Sequence, residues 1–163
     1  MVEKIINGIK SRRDEIESNR KTLIDKRIIR LLHRHHIFTL ATSCNDKPWC
    51  ATCFYVYNEK DNQLLFTTEK DTRHGIEGMA NPSVSGAIAL ETRVIGKIQG
   101  IQFSGDLVEL TGEDYKASMK LYLKRFPYAA PFINDTPLWK IESTYLKMTD
   151  NLLGFGKKII WGK

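Results

Sequence analysis

From Pro48 to Asn58 the chain reads PWCATCFYVYN, and this stretch constrains the fold more than any other. As a strand it carries Trp49, Ala51, Cys53, Tyr55 and Tyr57 on one face and Cys50, Thr52, Phe54 and Val56 on the other. Both faces are mostly apolar or small, so both need cover, which a barrel wall or a packed interface supplies. IFTLATS, from Ile37 to Ser43, precedes it across the polar turn CNDK, and the pair reads as a hairpin. The alternation also separates Cys50 from Cys53, so this C-x-x-C cannot chelate one metal as a strand. No second pair is present to complete a zinc ribbon.

Around that hairpin the chain offers helices at its start and further strands after it. Residues 1–22 read as a charged helical arm ahead of one domain over 23–163. A helix is expected from Thr22 to about His36, with Thr22 and Asp25 resembling a capping box and Ile24, Ile28, Leu31 and Leu32 on one face. His33, His35 and His36 close it, as cationic side chains suit a helix C-terminus; a metal site is the other reading. Strands follow at Gln63 to Thr68, Ser83 to Glu91 and Ile98 to about Leu110. In the last, Ile101 and Phe103 take one parity and Val108 and Leu110 the other, which predicts a register shift at Gly105. A helix from Glu113 to Arg125, a proline-rich connection and a strand from Leu138 to Asp150 complete six strands.

With 163 residues, 42% of them hydrophobic, the chain can bury a core. Twenty-five Lys and Arg against nineteen Asp and Glu leave a charge of +6, which favours acidic partners without choosing among them. No apolar run approaches the roughly 18 residues of a membrane span, and no secretory signal opens the sequence. Three closely spaced cysteines suit free thiols in a reducing compartment, so the expectation is a cytoplasmic protein with no membrane and no nucleic-acid partner.

The stretch QLLFTTEKDTRHGIEGMANP, Gln63 to Pro82, is the candidate for chemistry. A strand runs into a short helix, with Asp71 where an N-cap belongs and Gly75, Gly78 and Pro82 limiting the helix. The unsatisfied N–H groups of the first turn, with Lys70, Arg73 and His74 beside them, suit an anion such as a phosphate. A solvated turn with a capped helix is the plainer alternative.

In order and spacing, the strings WCATCFYVY, TEKDTRH, GIQFSGDL and DNLLGFGKKIIW resemble the pyridoxamine 5′-phosphate oxidase-like FMN-binding proteins, in particular a small and mostly uncharacterised bacterial branch. The resemblance covers about Leu23 to Lys163. It implies a mainly antiparallel split β-barrel with accessory helices, and a homodimer with FMN in the groove between two barrels. The phosphate site it implies falls on Thr67, Thr68, Lys70 and Arg73, with His74 adjacent. The strand beside the flavin ring falls on Ala51 to Tyr55, where Ala51 and Thr52 allow approach and Phe54 or Tyr55 stacks. Gln102, in GIQFSG, matches a glutamine that addresses the ring edge. Lys157 and Trp161 belong to a tail that closes over the partner's cofactor, or to a plain C-terminal lysine pair. Phe54 to Asn58 lacks the additional basic residues of vitamin B6 oxidases, so oxidation of pyridoxamine phosphate is not implied.

The resulting expectation is an FMN-dependent oxidoreductase for an unidentified small molecule, with no residue assigned as acid or base. The alternative is a carrier or sensor that binds flavin or haem without turnover, with His74 or the His33 to His36 cluster as axial ligands.

Overall fold

The computed structural model describes residues 23–133 and 135–162. The expected arm over 1–22, and Thr22 of the expected capping box, lie outside them. Helix α1 spans Lys26–Arg34 and starts at Asp25, whose carboxylate accepts from the Arg27 N–H at 2.8 Å. The same carboxylate binds the Arg27 guanidinium at 2.7 Å, which holds its pKa down at about 2. Ile28, Leu31 and Leu32 form the buried face, as their spacing requires.

Seven strands are described: β1 (Ile37–Cys44), β2 (Lys47–Asn58), β3 (Gln63–Thr67), β4 (Ser83–Ala89), β5 (Gln99–Glu109), β6 (Leu138–Asp150) and β7 (Lys158–Gly162). Two further helices are α2 (Arg73–Ala80) and α3 (Gly112–Arg125). The sheet order is β3-β2-β1-β4-β5-β6-β7, every pairing is antiparallel, and β3 also pairs with β6. That extra pairing closes six strands into a barrel, with β7 added outside β6. The split β-barrel expected from the sequence is therefore the fold.

The β1–β2 hairpin turns on Asn45 and Asp46, both at positive φ (50° and 59°), the left-handed pair that a tight two-residue turn demands. Inside the barrel Phe38 meets Phe66 and Phe103 edge-on, with ring centroids 5.3 and 5.5 Å away. Cys53, Tyr55 and Tyr57 of β2 face this core, and the Tyr55 hydroxyl donates to the Leu32 carbonyl at 2.8 Å, tying α1 across the barrel end. A smaller cluster, Val56, Leu65, Leu110, Tyr122 and Leu138, lies under α3. The double cover expected of β2 thus holds at Val56, whereas Cys50, Thr52 and Phe54 on the same face are exposed.

Two sequence expectations need correction here. The tail contributes a seventh strand, because Lys158 to Gly162 pairs in register with Tyr145 to Thr149 of β6. The register shift does fall at Ser104 and Gly105, but the extra residue is Thr144 on β6. Strand β5 keeps one parity, with Ile101, Phe103 and Leu107 all inward, and Val108 turns out. Gly105 is required by closeness: a Cβ there would stand 2.3 Å from the Glu142 carbonyl oxygen.

Gly105→Ala is expected to cost about 1–3 kcal/mol in urea unfolding, the usual range for overpacking. Gly96→Ala, with open space around its Cβ position, is expected to change stability by no more than about 1 kcal/mol.

Candidate functional site

The β3–α2 junction is held by a relay of hydroxyls around one histidine. Thr72, not Asp71, is the N-cap of α2: its Oγ1 accepts from Gly75 N–H at 3.2 Å and donates to the Glu69 carbonyl at 2.8 Å. Thr68 Oγ1 lies 2.7 Å from His74 Nε2 and 3.3 Å from Thr72 Oγ1. The Thr68 carbonyl accepts from the Trp139 indole at 2.9 Å, which fixes the turn to β6. Burial lowers the His74 pKa, with Glu77 opposing, so the ring is neutral at pH 7. It serves the turn as a hydrogen-bonding group beside Thr68.

The two permanent cations are both paired. Lys70 Nζ stands 2.7 Å from Glu109, and Arg73 Nε donates to Glu77 at 2.8 Å. The Arg73 guanidinium also lies 4.2 Å over the Trp49 ring. Glu77 in turn accepts from Thr42 Oγ1 at 2.6 Å inside the barrel end. These bonds, from Thr42 first and Arg73 second, hold the Glu77 carboxyl below its ordinary pKa. Because the Glu77 bond uses Nε, both Nη nitrogens of Arg73 remain for a further acceptor.

The outer face of β2, opposite in parity to Trp49, opens to solvent at Cys50, Thr52 and Phe54. The registers extend it across the sheet as a level row: Thr52 opposite Thr39, Thr39 opposite Ala87, and Ala87 opposite Gln102. Short side chains make this row a shallow floor, walled on one side by Phe54, whose ring meets Phe126 at 5.7 Å. Thr52, Phe54 and Gln102 from the sequence reading thus share one face, while Thr68, Lys70, Arg73 and His74 share the β3–α2 turn.

Others are elsewhere. Tyr55 is fully buried with its hydroxyl committed to Leu32, so it cannot stack on a ligand. Ala51 has inward parity and packs against the core. Thr67 Oγ1 donates toward Tyr122 Oη at 3.4 Å, on the α3 side. Trp161 lies on β7 and packs on the main core, and Lys157 sits in the exposed turn before it. The sequence reading missed Trp49, Thr42, Glu77 and Glu109. Only the i, i+4 spacing of Arg73 and Glu77 was visible as a signal.

With its barrel closed by β3 and β6, the chain has the split-barrel fold. Similar solved structures include a heme binding protein from Mycobacterium smegmatis (TM-score 0.70, 16% identity, 86% of this chain and 59% of that one). An FAD-binding protein from Mesorhizobium loti (0.65, 14%, 77% and 94%) and a pyridoxamine 5′-phosphate oxidase candidate from Listeria innocua (0.62, 14%, 76% and 95%) share the fold. By sequence, the chain belongs to the UPF0306 family. It is 46% identical over 134 residues to the UPF0306 protein of Photorhabdus laumondii, covering 82% of this chain and 92% of that one. A UPF0306 protein of Yersinia pseudotuberculosis is 41% identical over 136 residues (83% and 91%). No family model matches the sequence.

The Glu77 bonds imply a specific acid sensitivity. A carboxylate whose folded pKa is depressed contributes stability above its unfolded pKa and loses it as pH falls through the folded value. Melting temperatures should show Glu77→Gln well below wild type at neutral pH, with the gap closing toward pH 3. A gap independent of pH would remove charge from the explanation.

Proposed function

We propose that the protein binds FMN along the outer face of β2 and uses it in redox chemistry on a small molecule. The observation that supports this most is the level row Thr52, Thr39, Ala87 and Gln102, short outward side chains beside the exposed Phe54 ring; the cationic turn meets β2 at Trp49, which has the opposite parity. A phosphate fits the donors present: the Arg73 Nη nitrogens, Lys70, and the Thr68 hydroxyl with the neutral His74 behind it. Lys70 and Arg73 are shared with Glu109 and Glu77, so an anion gains their charge only in part. The row from Thr52 to Gln102 is flat enough for a planar ring, Phe54 offers an aromatic wall, and the Gln102 carboxamide can donate to or accept from a ring edge.

When bound, FMN supplies the electron chemistry. The chain's residues hold the phosphate, orient the ring and exclude water from one of its faces. Phe54 and Ile37 are 54% and 41% exposed on this outer face, and a second copy of the chain would cover them. Homodimerisation therefore belongs to the same reading, with light scattering as its check; a monomer at micromolar concentration counts against it.

For haem, the Nε2 atoms of His74 and His33 are occupied by Thr68 and Glu59, so axial ligation would break an existing bond at either; within the His33 to His36 cluster, His35 Nε2 is buried without a partner, and a haem would have to reach it there. The visible spectrum of freshly purified protein separates the two cofactors: flavin bands support this reading, and a Soret band overturns it. Repeated reduction and reoxidation of bound FMN separates an oxidoreductase from a carrier. Gln102→Ala is expected to slow that redox step more than it weakens FMN binding.

Lys70→Ala is the clean test of the phosphate site. Its bond to Glu109 is largely exposed and adds little to stability, whereas removing Arg73 would also strip Glu77 of a partner. FMN affinity, followed by flavin fluorescence, should fall about tenfold while riboflavin affinity is unchanged. Equal losses for both ligands would mean that Lys70 does not meet the phosphate.

A further inference from the structure

Two loops come together at the end of the barrel that carries α1. Residues 90–98 join β4 to β5, and residues 151–157 join β6 to β7. Asn151 staples them: its Nδ2 donates to the Ile95 carbonyl at 2.7 Å, its backbone N–H donates to the Ile98 carbonyl at 3.0 Å, and its Oδ1 accepts from the Gly156 N–H at 2.9 Å. Asp150 Oδ1 accepts from the Leu152 N–H at 3.0 Å, which fixes the start of the second loop. The two loops thereby form one preformed tip. Its outermost side chains are apolar: Ile95, Leu152 and Phe155 are 64%, 61% and 85% exposed, with Val94 beside them.

What surrounds the tip is basic. Arg93, Lys97, Lys157 and Lys158 lie in or next to the two loops and are exposed. Arg30 and Arg34 of α1 flank a small hollow against Gln99 and Asp150, at the base of the tip. Among the described residues none of these cations is in a salt bridge. Against them stand only Glu91 and Asp150, and the Asp150 carboxylate is buried and committed to the Gln99 side chain and the Leu152 N–H.

Side chains this exposed stand away from the barrel instead of lining a groove, and they offer little to a partner of fixed shape. A bilayer surface needs no matching shape: it takes up protruding apolar side chains, and its acidic headgroups attract the cations around them. We propose that this tip docks the protein on an anionic lipid surface, with Ile95, Leu152 and Phe155 entering the headgroup boundary and the surrounding cations drawn to acidic headgroups. The docking is peripheral; no helix among the described residues is long and apolar enough to cross a membrane. The sequence reading expected no membrane partner because it searched for one continuous apolar run, whereas this surface is assembled from two loops far apart in the chain. It does not rest on a bound flavin.

Co-sedimentation of the full-length protein with vesicles tests this, using phosphatidylcholine alone and phosphatidylcholine mixed with phosphatidylglycerol. The expected result is binding to the mixed vesicles that weakens as salt is raised, and little binding to the neutral ones. Ile95→Ser/Phe155→Ser and Lys157→Ala/Lys158→Ala should each weaken binding about tenfold or more, the first by removing apolar contact and the second by removing charge. Both pairs are exposed, so melting temperatures should stay near wild type; should the serine variant fail to fold, the lysine variant decides. No vesicle binding by the wild type, or equal binding to the two kinds of vesicle, would overturn the proposal. Equal binding by wild type and the folded serine variant would overturn it too, by placing the attraction in charge elsewhere on the chain. If the wild type ignores vesicles and light scattering shows that the serine variant loses a dimer, the tip is instead a contact between copies.

Discussion

The pairing of β3 with β6 is the interaction on which the rest of the molecule depends. Without it the sheet would be an open ribbon with two edges; with it, six strands enclose Phe38, Tyr55, Phe66 and Phe103 in one core. The pairing runs from Gln63 opposite Glu142 to Thr67 opposite Leu138, so it ends where the cationic turn begins. The Trp139 indole then binds the Thr68 carbonyl, and the position of the turn becomes a consequence of barrel closure. The extra residue Thr144 lets β6 close on β3 and still keep its inward face against β5 beyond the bulge.

The turn illustrates how a cation's surroundings change its meaning. Lys70, Arg73 and His74 read as added donors beside a helix N-terminus. In the folded chain one is a neutral ring held by threonines and the other two are shared with carboxylates. Such a site is less electropositive than its composition implies, and it is better ordered. Glu77 orients the Arg73 guanidinium, and Trp49 fixes the plane in which it lies. Preorganised donors lose less freedom on meeting a ligand, which compensates for weaker net charge.

On the outer face the same economy of side chains serves two purposes. Thr39, Thr52, Ala87 and Ala89 are too short to bury apolar area, so they leave a floor that something else can cover. Phe54 and Ile37 beside it are large and exposed, at a place where a core residue would be hidden. Val56, one step along the Phe54 face, shows the contrast: α3 covers it, and nothing described in the chain covers Phe54 to the same degree.

The strands, the hairpin turn at Asn45 and Asp46, the short helix before Pro82 and the bend at Gly105 were legible because each depends on local rules: alternation, backbone preference and the space a glycine leaves. The cationic turn was legible as composition for the same reason. What the sequence could not determine were matters of distance between segments. Tyr55 and Phe54 are equally plausible stacking residues on paper, and barrel closure, which turns Tyr55 inward against Phe38 with α1 over its hydroxyl, makes one a core residue. Thr144 is indistinguishable from its neighbours until β6 must match β5 and β3 at once. The tail shows no strand signal apart from KIIWG and becomes a strand because the outer edge of β6 offers its unpaired backbone. Glu109 and Trp49 lie far along the chain from the cations they meet. Local propensity follows from a few adjacent residues, whereas the partner of a charge or a ring is decided by barrel closure, which brings remote segments into contact.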